Sequence, residues 1–173
     1  MKNNSGWYER VDRREFDKDT NHQWYTPPEI FDAMNTTFDL DVATIKYGLY
    51  WIPAKHHYYK ELDGLKQKWF GFVWCNPPYG NQTEQWLEKF VKHNNGIALV
   101  FARTDTNWFH EYAIKCDIIV FTKGRIKFID GKNKEVPSTK VNNGSTGSMF
   151  LGCGKKAVEV LENANLGYMI KND

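Results

Sequence analysis

The tetrapeptide Asn76-Pro77-Pro78-Tyr79 has the residue types needed to hold an amino group on a planar ring. A side-chain amide oxygen and the carbonyl of the next residue make a pair of acceptors, and an exocyclic amino group offers two N–H donors. Two prolines in series remove two backbone donors and keep the chain extended, so both acceptors can face one way. Tyr79 adds a flat face on which a ring can stack. The apolar run Phe70-Gly71-Phe72-Val73-Trp74-Cys75 just before it reads as a short buried strand. A polar, helix-like stretch follows, so the tetrapeptide is expected at a strand's C-terminal end. In open α/β sheets that edge is where ligands bind. The plainer alternative is a strand-to-loop turn that happens to contain two prolines.

Other blocks follow in a defined order. Trp24-Tyr25-Thr26-Pro27-Pro28 comes first, then Phe38-Asp39-Leu40-Asp41-Val42-Ala43-Thr44 and Asp63-Gly64-Leu65. Beyond the tetrapeptide lie Ala102-Arg103-Thr104-Asp105-Thr106, Trp108-Phe109-His110 and Lys123-Gly124-Arg125-Ile126-Lys127-Phe128. Asn-Pro-Pro-Tyr alone resembles the motif of amino-group methyltransferases that use S-adenosyl-L-methionine. The whole series, from Trp24 to Leu151, resembles the phage-type DNA N6-adenine methyltransferase family, the small Dam-like enzymes of phages and prophages.

That resemblance implies a Rossmann-like class I methyltransferase sheet and methyl transfer from S-adenosyl-L-methionine to the N6 amino group of adenine in double-stranded DNA. Asn76, Pro77, Pro78 and Tyr79 would be catalytic. Asp41, on the strand that matches the family's cofactor-binding strand, would bind the cofactor together with Thr26, Pro27, Ala43 and Asp63. Arg103, Asp105, Trp108 and His110 would meet the base or the DNA backbone, and Arg125 would meet phosphate or line the pocket. One departure is plain. Many methyltransferases carry a glycine-rich turn after the cofactor strand, and here Val42-Ala43-Thr44-Ile45 stands instead. Ala43 is still small enough to let a ligand approach.

Several of these residues have structural alternatives. Thr26 is a fair N-cap with Pro27 at the first helical position, and Glu29 would complete a capping box. Asp63 suits a turn-forming Asp-Gly. Asp39 reads as a surface carboxylate. Thr104 or Asp105 suits a helix cap, and Arg103 an ion pair. His56 and His57 form an isolated pair in a loop, and no metal site is expected there.

The elements that must position these groups are read from periodicity. A helix is expected from Thr26 to Asn35 and a buried strand over 40–43. Residues 45–69 read mostly as loop with one short element. A helix over 82–94, a strand over 97–101, a helix over 106–115 and a strand over 118–121 follow. Strands over 125–129 and 147–151 flank a polar loop, and 158–161 begins a last helix. Strands alternating with helices argue for a mostly parallel α/β sheet, with the late strands as an antiparallel edge. Residues 1–22 are polar without periodicity and read as an arm, leaving 23–173 as one compact domain.

Composition sets the remaining bounds. At 173 residues, with 41% hydrophobic residues, the chain can bury one good core. The net charge of +2 does not by itself announce a nucleic-acid partner. Charge is concentrated over 123–140, where six basic residues face two acidic ones for a local net of +4. Lys132 and Lys134 lie in this segment, which is read as either a phosphate-contacting loop or a solvated hairpin. The three cysteines are widely spaced without zinc-ligand pattern, which fits a reduced, cytoplasmic protein. No signal peptide or membrane-spanning run is evident. No separate recognition domain is evident either, so DNA would be read by loops with short or relaxed specificity. Oligomeric state and recognition sequence are left open. RNA adenine, DNA cytosine N4 or a protein glutamine amide would suit the tetrapeptide's chemistry as alternatives. DNA binding without catalysis is a further alternative, against which the intact tetrapeptide speaks.

Overall fold

The computed structural model describes residues 24–46, 48–130, 141–142 and 146–172. The expected arm at 1–22, and Lys132 and Lys134, lie outside the described residues. In chain order the elements are β1 (Trp24–Tyr25), α1 (Pro28–Met34), β2 (Phe38–Thr44), β3 (Ala54–Tyr59), β4 (Val73–Cys75), α2 (Thr83–His93), β5 (Gly96–Phe101), α3 (Asn107–Glu111), β6 (Ile118–Thr122), β7 (Phe128–Asp130), β8 (Val141–Asn142), β9 (Ser148–Cys153), α4 (Lys155–Ala164) and β10 (Gly167–Lys171).

Seven strands form the main sheet in the order β10-β6-β9-β5-β4-β2-β3. Pairing is parallel from β3 through β2 and β4 to β5. It is antiparallel from β5 through β9 and β6 to β10. The sheet is therefore mixed, and its antiparallel part is more than the edge expected from the late strands. β9 lies inside the sheet, between β5 and β6. Its six residues are all buried, as a strand covered on both faces requires. Residues 128–130 leave this sheet altogether: β7 pairs with β1 and β8 in a separate three-stranded sheet.

Helices cover both faces of the large sheet. On one face Ile30, Phe31 and Met34 of α1 and Ala157 and Leu161 of α4 pack with Trp74, Ile97 and Phe150. On the other, Trp86, Leu87 and Phe90 of α2 and Ala113 pack with Leu40, Val73, Cys75 and Met149. The apolar spacing within each helix supplies these faces. The chain leaves β2 to form β3 on one side and returns to form β4 on the other. The carboxyl ends of β2 and β4 thus flank a topological switch point, the place where open α/β sheets leave a crevice.

Local differences have local causes. The strand before Asn76 begins at Val73 rather than Phe70, because Gly71 sits at φ 62 and turns the chain. The short element within 45–69 is β3, parallel to β2. The helix expected over 106–115 breaks at Tyr112, where a 3₁₀ turn follows. α4 starts at Lys155, ahead of the expected position, and β10 has no clear apolar alternation to reveal it. Cys75, Cys116 and Cys153 are buried and form no disulfide. Among the described residues no helix is long and apolar enough to cross a membrane.

Candidate active site

Asn76 follows β4 directly, at the switch point. Its Nδ2 donates to the Trp24 carbonyl at 3.4 Å and to the Thr26 hydroxyl at 3.3 Å. Both are long bonds, and together they turn Oδ1 away from β1. The Tyr79 hydroxyl donates to that Oδ1 at 3.4 Å. Burial pushes the Tyr79 phenol well above its usual titration range, so it stays a proton donor. The Tyr79 ring stacks on Phe101, with centroids 3.9 Å apart and planes at 17°. Phe101 closes β5, the next strand along, so one ring face is already covered. Pro77 is buried and Pro78 exposed.

Thr26 suits a helix cap by sequence, and the fold uses its hydroxyl differently. The helix begins at Pro28, with Pro27 in the cap position and no side-chain cap. Thr26 is 1% exposed, and the Trp51 indole N–H donates to its carbonyl at 2.9 Å. Trp24, Trp51 and Phe101 are parts of the site that sequence reasoning does not single out. Their only advance signal is position: Trp24 beside Thr26, and Phe101 at the end of an apolar run.

Asp41 lies near the end of β2, paired in register with Trp74 of β4 and His57 of β3. It is 3% exposed and accepts one backbone N–H, from Ala43 at 3.2 Å. Burial raises its carboxyl to about 7, opposed only by that N–H and by the nearby Thr44 hydroxyl. Thr44 Oγ1 is itself buried and lacks a well-placed hydrogen-bond partner. Two underserved polar groups at one strand end are what a ligand with N–H or O–H donors would complete. Asp39 differs. Its carboxylate takes the Lys55 ammonium and the Phe72 N–H, both at 2.8 Å, which hold it below the ordinary range. It reads as a structural carboxylate, with no room for a side chain at Gly71 beside it.

The Asp63-Gly64 turn packs onto the end of β2, so closely that a Cβ on Gly64 would collide with the Val42 carbonyl. Asp63 has φ 55 and accepts the Leu65 N–H at 3.2 Å, while its other oxygen pairs with Lys66 at 2.9 Å. Its carboxylate thus serves the turn, and it reaches a ligand only in competition with these partners. Ala43 is half-buried at the same end of β2.

Residues 102–106 leave β5 on the edge that carries Asn76. Arg103, Asp105 and His110 are exposed, and Trp108 is half-buried against the α2 side of the core. Neither Thr104 nor Asp105 caps the next helix. Thr106 occupies that place and its hydroxyl donates to the Arg103 carbonyl at 2.8 Å. Arg125 lines a cleft of about 320 Å³ with Lys123, Lys127, Glu29 and Pro27. Three cations face one carboxylate there. The cleft adjoins the Asn76 site through Pro27, the neighbour of Thr26.

Fold and site together define an α/β protein with the Asn76 tetrapeptide at the switch point of its sheet. The chain belongs to the DNA N-6-adenine-methyltransferase (Dam) family, whose model matches residues 14–161. It is a DNA adenine-N6 methyltransferase by that membership, and DNA is its substrate class. No curated protein matches it, and no solved structure does.

Proposed function

We propose that the protein moves a methyl group from S-adenosyl-L-methionine to the N6 amino group of an adenine flipped out of double-stranded DNA, on a Rossmann-like class I sheet. The observation that carries this reading is the Asn76 amide. Its N–H groups are committed to Trp24 and Thr26, which leaves Oδ1 as an acceptor beside the β2–β4 crevice. Bound cofactor would supply an electrophilic methyl on a sulfonium. Thr26, Pro27, Asp41, Ala43 and Asp63 would form its site, and the underserved carboxylate of Asp41 fits the donors such a molecule carries.

Asn76 Oδ1 and the Pro77 carbonyl would accept both amino hydrogens and so raise electron density on nitrogen. No prior deprotonation is needed, because the amine becomes acidic only once alkylated. As the N–CH3 bond forms, the S–CH3 bond would break with its electron pair left on the departing thioether, and the surplus amine proton would pass to water. The rate gain comes from positioning and preorganised dipoles. Tyr79 would stack on the base with its free face, the other being held by Phe101. Lys123, Arg125 and Lys127, which line the cleft beside Pro27, would meet phosphates together with Lys132 and Lys134, while Arg103, Asp105, Trp108 and His110 would approach the target from the C-terminal end of β5. Recognition read from such loops would be short or relaxed.

The test is to incubate purified protein with S-adenosyl-L-methionine and unmethylated duplex DNA, then quantify nucleosides by mass spectrometry. N6-methyldeoxyadenosine should accumulate and vanish with Asn76→Ala. Methylcytosine alone, or modification of RNA alone, would refute the substrate assignment.

A further inference from the structure

Lys89 lies on α2, the helix that follows the Asn76 tetrapeptide. Its ammonium donates to the Gly64 carbonyl at 3.0 Å, to that of Leu65 at 2.6 Å and to that of Gln67 at 2.5 Å. An ammonium has three protons, and here backbone carbonyls of one loop take all of them. Its Nζ sits 5.2 Å from the centroid of Trp69, whose indole N–H also donates to Gly64, at 2.8 Å. A solvated helix lysine has no need of such an arrangement, and fixing its long side chain costs rotamer entropy. The loop it grips is the one pressed on the end of β2. An added Cβ at Gly64 would collide with the Val42 carbonyl and meet Trp86 at 2.9 Å. The placement of residues 63–67 at the Asp41 end of β2 is thus set from α2.

We propose that Lys89 is a positioning residue. It holds the 63–67 loop as a wall of the crevice next to Asp41, and ties that wall to the helix that follows the Asn76 tetrapeptide. This rests on the reading of the β2 end as the cofactor site. It touches neither cofactor nor base, so its loss should weaken cofactor binding more than turnover.

The test uses the full chain and Lys89→Met, which keeps the stem and removes the charge. Three quantities are measured: amide exchange of residues 64–69 in the free protein, affinity for S-adenosyl-L-methionine by calorimetry, and kcat against KM. Exchange should quicken in that loop. The Kd and KM for cofactor should rise by about tenfold or more, since small displacements at a site are costly. At saturating cofactor kcat should stay within about threefold, and DNA affinity should not move. Lys89→Arg, with a wider fork of donors, should fall between the two. Wild-type cofactor affinity in Lys89→Met, or weakened affinity with unchanged loop exchange, would overturn the proposal. If Lys89→Met does not fold, Lys89→Arg decides: its Kd must rise with kcat kept, and a wild-type Kd refutes the idea. Wild-type protein that fails to bind S-adenosyl-L-methionine would instead bring down the cofactor reading itself, and the role of Lys89 with it.

Discussion

The Tyr79 hydroxyl donates to the side-chain oxygen of Asn76 across 3.4 Å, which is the oxygen an incoming amino group would need. In the free protein one of this oxygen's two lone pairs is therefore already engaged, by a long and weak bond. Tyr79→Phe removes that bond and keeps the ring on Phe101. Thr26 and Trp24 still orient the amide. Turnover of Tyr79→Phe should stay within about threefold of wild type, while Tyr79→Ala, which loses the stacking face, should fall by on the order of tenfold or more. Steady-state methylation of a short duplex measures both. Equal, large losses would mean that the hydroxyl itself takes part.

Asn76→Ala deletes the acceptor and leaves β4 in place. Transfer should fall by on the order of 100-fold or more, with cofactor affinity within about threefold. Single-turnover kinetics and calorimetry on the same preparation report both numbers. Near-normal transfer would remove Asn76 from the mechanism.

Asp41 makes a pH prediction whose sign can be worked out. Its carboxyl titrates at about 7 when folded, against an ordinary value of 3.8. The folded state therefore binds more protons than the unfolded state between those values, and stability falls as pH rises through that window. Asp41→Asn removes the ionisation. The variant should gain stability over wild type at pH 8 relative to pH 5, by on the order of 3 kcal/mol at most. Urea melts at the two pH values test this.

The same residue should leave a calorimetric mark on binding. If the ionised carboxylate receives the ligand's donors, cofactor binding at pH 7 should release roughly half a proton that Asp41→Asn does not release. Buffers of different ionisation enthalpy reveal it. No difference between wild type and Asp41→Asn would place the cofactor elsewhere.

Lys123 and Lys127 are exposed in the cleft beside Pro27. Replacing both with alanine should reduce the slope of log DNA affinity against log salt by roughly 0.9 for every phosphate that is no longer neutralised. Binding should weaken alike on all sequences, and cofactor affinity should hold. Fluorescence anisotropy at several salt concentrations measures the slope. An unchanged slope would show these lysines to be merely solvated.

Much of this protein is legible in local sequence. The Asn76 tetrapeptide is legible as a candidate site because four adjacent residues carry its chemistry, and the runs around 40, 73, 97 and 118 because buried strands read as continuous apolar segments. Asp41 is legible as a carboxylate on the strand matching a family's cofactor strand. Only the fold reveals that it is buried with one N–H partner, since desolvation depends on what covers a side chain.

Other assignments depend on pairings between distant residues. The Thr26 hydroxyl suits a cap and instead meets Asn76, fifty positions along the chain. Lys123, Arg125 and Lys127 are remote from Thr26 and Asn76 in sequence, yet β7 pairs with β1 and the three line a cleft with Pro27. β9 reads as part of an antiparallel edge and lies in the sheet's interior. Lys89 carries no signal in the sequence, and it holds the loop on the end of β2 by three carbonyls. Periodicity reports which face of an element is buried, because burial follows the side chains' own spacing. It carries no record of which element covers that face or which strand lies alongside. Those choices are made by long-range packing and hydrogen bonding, and they decide the partners of the side chains in the site.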